Sequence, residues 1–217
     1  MTSQAYHRIM WGVLLTGCLI PAGNFQIIPM LIGYIIIAWQ LRHINNDLGG
    51  EPYFKKQFLD TMNCVAFSVV TLVVGLLFGY SQVITQMLFV IVMLEDVMAF
   101  GGILGRSVRI LNDCDNVKAA DKMRKNRMTY IKADLVVIFL RITQVVLIFV
   151  LNYVVGNDKG SYSTAMDIAI TAINYICLTV FLMLKIWYSM FMYKMYSYNI
   201  EELGPIAKRA ESRKRKS

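Results

Sequence analysis

Histidine is almost missing from this chain. Only His7 and His43 occur among 217 residues, both near the ends of apolar segments, so zinc or haem sites have hardly any ligands to draw on and no metal or other cofactor is expected. The four cysteines, Cys18, Cys64, Cys114 and Cys177, are scattered, which argues against a disulfide framework or a metal-ligand spacing. No P-loop or dinucleotide fingerprint is present. A serine intramembrane protease lacks a histidine at depth, and an aspartyl protease lacks two acids on separate helices at one level. The chain is therefore expected not to be an enzyme.

Charge is also scarce, at 17% of residues against about 25% in ordinary soluble domains. Apolar residues make up 57%, and mean hydropathy is +0.51. The polar residues are gathered into a few stretches instead of being interleaved along helix faces, the distribution that a bilayer demands. The 22 Lys and Arg exceed the 14 Asp and Glu, for a net charge of +8. These bases cluster between Arg106 and Lys132 and in the C-terminal tail, positions that the positive-inside rule explains without invoking nucleic acid.

A helix needs roughly 20 residues to cross ~30 Å of hydrocarbon, and the apolar runs define an all-α, polytopic membrane protein of six transmembrane helices in three hairpins. The helices are expected at about 8–22, 25–41, 60–80, 83–105, 131–155 and 164–198 within a single domain, 1–204, followed by a basic disordered cytoplasmic tail, 205–217. The basic loop after the fourth helix marks the cytoplasmic side and places both termini there. The first two helices are short. Arg8 to Gln40 read as one helix would be ~50 Å long, so Pro21, Gly23, Asn24, Gln26 and Pro29 are expected to break it into a pair that either crosses or re-enters. Arg8 and the apolar run up to Cys18 have the outline of a lipoprotein signal. The polar tether expected after such a cysteine is missing, so this reads as a first membrane helix.

The run Gly23-Asn24-Phe25-Gln26-Ile27-Ile28-Pro29-Met30-Leu31-Ile32-Gly33-Tyr34 resembles a hairpin, with an F-x-I-x-P-x-x-I-G-Y core after a Gly or Asn turn, of small bacterial multi-pass membrane proteins whose role is uncharacterised. The resemblance covers about a dozen residues and implies a membrane hairpin but no activity.

The sharpest local feature is Glu95 and Asp96 inside an apolar helix, where an acid costs about 2.5–3.5 kcal/mol on insertion scales and needs a polar partner or a proton. Adjacent helical residues point about 100° apart, so the two acids cannot share a direction. Arg141 is the candidate partner, although the lean of side chains toward their helix N-termini works against the pairing. Gln144, Asn174 and Gln86 are further polar groups at depth. Gly75 with Gly79 and Gly101 with Gly105 form two G-x-x-x-G steps suited to close helix packing. Lys208, Arg209, Arg213, Lys214, Arg215 and Lys216 in the tail are expected to meet anionic lipid headgroups.

Two functional readings follow. One is a non-enzymatic membrane protein that works by packing against a membrane-protein partner or a second copy, as a regulator, assembly factor or accessory subunit. The other is a small-molecule or ion transport module, with its ATPase on a separate chain if it needs one. A bacterial plasma-membrane location fits the lack of any N-x-S/T sequon.

Overall fold

Apolar residues recurring every three or four positions fold into helices, and the computed structural model describes them over residues 2–18, 28–47, 54–79, 83–113, 116–153 and 161–197. The elements are α1 (Thr2–Gly17), α2 (Ile28–Asp47), α3 (Lys55–Phe78), α4 (Val83–Asp113), α5 (Val117–Tyr153) and α6 (Ser161–Ser197), with no strand among the described residues. Four of them, α3 to α6, are long and apolar enough to cross a membrane, with mean hydropathies of 2.1, 2.1, 2.3 and 1.9 over their best windows. At 16 residues, α1 is about 24 Å long.

Several expected boundaries move. The first two helices, expected at about 8–22 and 25–41, run over Thr2–Gly17 and Ile28–Asp47, and the turn between them lies outside the described residues. The stretch between the fourth and fifth helices, expected as a basic loop, is almost wholly helical. Lys, Arg, Met and Ala are good helix formers, so hydropathy marks where the chain leaves an apolar environment and not where the helix ends. Asn116 makes the break: its Oδ1 accepts from the Ala119 backbone N–H at 3.3 Å, the N-cap arrangement that satisfies a first-turn donor. A second polar tie joins α2 to α3, where the Phe54 N–H donates to Asn45 Oδ1 at 2.7 Å.

Each helix packs on its neighbours in the chain, and α1 packs on α6 to close the set. The middle of this ring is organised on α4. Tyr6 of α1 meets Ser107 at 3.0 Å, Tyr34 of α2 reaches Asp96, and Tyr188 of α6 donates to the Phe100 carbonyl at 3.2 Å. From α5, Arg127 Nε donates to the Gly101 carbonyl at 2.7 Å. On α6, α1 lies along the C-terminal portion. His7 stacks near Tyr196 with centroids 5.1 Å apart, and a Cβ on Gly17 would come within 2.8 Å of the Lys185 Cβ.

The tightest approach joins α1 to α2. A Cβ at Gly33 would sit 2.5 Å from the Gly12 carbonyl oxygen and 2.9 Å from the Thr16 nitrogen, both backbone atoms that no rotamer change can move. Gly33→Ala is accordingly expected to cost about 1–3 kcal/mol, the usual range for overpacking. Unfolding of the detergent-solubilised protein measures this, with Val73→Ala on an exposed face as the control; equal stability of the two variants would contradict the close crossing.

Candidate functional site

Residues from four different helices meet at the centre of the ring. Tyr34 of α2, Asp96 of α4, Tyr130 of α5 and Lys185 of α6 are all fully buried. The Tyr34 hydroxyl donates to Asp96 Oδ1 at 2.6 Å, and Asp96 Oδ2 forms an ion pair with Lys185 Nζ. Lys185 Nζ also donates to the Tyr130 hydroxyl at 3.0 Å. The ammonium lies 4.0 Å from the Phe100 ring centroid and 4.7 Å from that of Phe181, within the range of cation–π attraction.

The pair has no contact with solvent, so both ions lose their hydration. Such a loss is offset only when further hydrogen bonds satisfy the remaining donors and acceptors, and here Tyr34 and Tyr130 supply one on each side. The lysine stem needs room as well, which Gly17 provides where α1 meets α6. Asp134, one turn from Tyr130 on α5, is buried with Lys185 and Asp96 as electrostatic neighbours. Neither of its oxygens takes a hydrogen bond of good geometry.

Arg141, Gln144 and Asn174 form a second polar group on α5 and α6. Arg141 Nη1 donates to Gln144 Oε1 and Asn174 Oδ1, at 2.5 Å each, and Gln144 Nε2 donates to the Ile170 carbonyl at 3.4 Å. The guanidinium stacks over the Phe89 ring, 5.1 Å from its centroid. Eleven residues separate Tyr130 from Arg141, and eleven separate Asn174 from Lys185, so the two groups lie about 16 Å apart along the helices.

The structure thus divides the candidate polar residues. Arg141 joins Gln144 and Asn174 but neither acid, and Asp96 takes Lys185 instead. Glu95, half-buried on the adjoining face, is not part of the Asp96 cluster. The glycine steps also differ from each other. Gly79 is not within a packed helix face: it ends α3 at φ +90° with nothing within 4 Å of an added Cβ, while Gly75 is buried in the helix. Gly101 and Gly105 both face α5, at Ile131 and Arg127. The tail bases Lys208 to Lys216 lie outside the described residues.

Sequence reasoning missed Lys185, Tyr34 and Tyr130. Lys185 sits among the aromatic and basic residues near the end of α6 and reads as an interfacial residue that keeps its ammonium in water. The signal against this is spacing. Phe181, Lys185, Tyr188 and Met192 recur at intervals of three and four, and all four are buried, the stripe of a core-facing helix surface.

No protein-family model matches the chain, and no curated protein or solved structure is similar to it. The site is read from its own chemistry.

Breaking a buried pair by removing one partner leaves an uncompensated charge, so Asp96→Leu and Lys185→Met are each expected to destabilise the protein by about 3–5 kcal/mol. The double variant is expected to recover most of that loss. Denaturant titration of the three variants in one detergent checks it, and additive losses in the double variant would contradict a direct pairing.

Proposed function

We propose that the protein is a non-enzymatic integral membrane protein that acts by packing against a membrane-protein partner or a second copy of itself, as a regulator, assembly factor or accessory subunit. The observation that carries this reading is the state of α6 ahead of its buried stripe. None of the nine residues from Ile168 to Ile176 is buried. Ile168, Tyr175 and Ile176 are all more than half exposed, and only the side bearing Ile170, Ile173 and Asn174 leans on the chain. A helix seated in its own bundle buries one face; this segment offers most of its circumference to a neighbour.

In this reading α3 to α6 cross a bacterial plasma membrane, and α1 with α2 re-enters from the cytoplasmic side. Support for re-entry comes from α1, which lies beside α6 only from the level of Tyr196 to that of Lys185. That end also carries the bases of α4 and α5, which favours cytoplasmic termini. The Asp96–Lys185 pair then acts as an internal tie between helices, with its donors and acceptors already engaged.

A transport role finds its support in Asp134, a buried acid beside Tyr130 and Lys185 whose oxygens take no hydrogen bond of good geometry, the kind of group that proton pathways use. Its test is proton or ion flux in vesicles, where Asp134→Asn is expected to change nothing if the packing role is correct. For the packing role itself, a photocrosslinking residue at Tyr175 is expected to yield one stoichiometric adduct with a membrane protein or a second copy, and the same probe at Phe139, exposed on α5, to yield none. Equal labelling at both positions, or adducts with lipid alone, would count against the proposal.

A further inference from the structure

The surface of α4 that faces away from the ion pair opens into a groove of about 540 Å³ between α3 and α5. Its floor is Gly101, Gly102 and Gly105, and its cationic walls are Lys56, Arg106, Arg109 and Arg127. Four cationic side chains thus line one cavity with a single carboxylate, Asp60, which lies near Lys56, so positive charge is in excess along its lining. The glycines are what leave the space. A Cβ on Gly105 would fall 3.1 Å from the Arg127 guanidinium carbon, and one on Gly102 would fall 3.0 Å from Gln57 Cγ.

Two acceptors complete the lining. Gln57 is 5% exposed, and its Oε1 has no hydrogen-bond partner. Asp60 lies one turn along α3 and is the sole carboxylate in the groove. A simple anion has no use for either group, whereas a phosphate ester bearing hydroxyl groups would set its phosphate among the cations and donate its hydroxyls to Asp60 and Gln57.

The groove is also graded along its length. On α4 it passes from Val97 and Met98 through the glycines to Arg106 and Arg109, and on α5 from Ile131 to Arg127. On each helix the apolar positions lie toward one end and the charges toward the other, and Met98 is 54% exposed. We propose that this groove binds an anionic phospholipid with a hydroxylated headgroup, of the phosphatidylglycerol kind, with its phosphate held by Arg106, Arg127 and Lys56 and its acyl chains leaving past Met98 and Ile131. The assignment rests on α3, α4 and α5 lying in a bilayer and is independent of any partner on α6.

The test is binding of short-chain lipids to the full-length detergent-purified protein, followed by native mass spectrometry and titration. Phosphatidylglycerol is expected to bind at least about tenfold more tightly than phosphatidylcholine and than free glycerol phosphate, since a hydrogen bond to a charged group contributes enough to produce that ratio. Arg106→Gln, at a half-buried rim position, and Arg127→Gln are each expected to weaken it about tenfold. Asp60→Asn gives opposite signs for two lipids. At a pH where phosphatidic acid is fully ionised and so offers no hydroxyl donor, removing a negative charge from a cationic groove tightens it, while loss of the hydroxyl acceptor weakens phosphatidylglycerol. Equal affinity for phosphatidylglycerol and phosphatidylcholine, or unchanged binding in the correctly folded Arg106→Gln variant, overturns the site. Free glycerol phosphate binding as tightly as the lipid overturns the lipid assignment, and tightening of both lipids by Asp60→Asn overturns the role given to the hydroxyls.

Discussion

Taking a lysine and an aspartate out of water together is the constraint that organises this bundle. Neither Asp96 nor Lys185 has any exposed surface, so each depends on the other and on the two tyrosines that complete their hydrogen bonding. Those partners come from four helices, and all must be in register at once for the charges to be satisfied. The arrangement is also centred on one element. Side chains from α1, α2, α5 and α6 bond to α4 along its length, at Ser107, Asp96, Gly101 and Phe100. A displacement of α4 would therefore disturb each of these ties, which makes it the least replaceable helix in the chain.

The Arg141 group solves a similar problem by different means. Its partners are neutral amides and an aromatic face, so the guanidinium is hydrogen-bonded without a counter-ion. Such contacts join α5 to α6 some 16 Å from the ion pair. The long helices are thus fastened at two levels. Between them apolar packing by residues such as Val137, Ile138, Cys177 and Phe181 sets the spacing without fixing direction, because such contacts are non-directional.

Much of the architecture was legible in the sequence. Length and hydropathy located α6 to within three residues at each end and the start of α4 at Val83, while Pro21, Gly23, Asn24 and Gln26, expected to break α1 from α2, lie outside the described residues. Asp96 was legible as a buried acid because an acid in an apolar run has few alternatives. Its partner was not, since Lys185 lies near the polar end of α6, where a long cationic side chain can equally well reach water. Only the three-dimensional placement of Tyr34 and Tyr130 decides between the two. The basic ends of α4 and α5 were misread for a different reason: charge was taken as a sign of loop, although Lys and Arg continue a helix readily. Gly12 and Gly33 escaped notice because a close crossing between two helices has no spacing rule that a single sequence reveals, whereas the G-x-x-x-G rule drew attention to Gly79, which ends a helix.

With Asn116 capping its first turn, α5 carries its basic residues on a helix that continues past the groove. From Val117 to Arg127 the helix rises about 15 Å, nearly twice the distance over which salt at physiological strength screens charge. Lys118 near the tip, about 13 Å of helix rise from Arg127, therefore belongs to a separate electrostatic zone from Arg127 and Arg106 at the groove. One basic segment by sequence thus behaves as two surfaces by distance, so an anion seated at the base does not discharge the tip, and each surface can meet its own counter-charge without sensing the other.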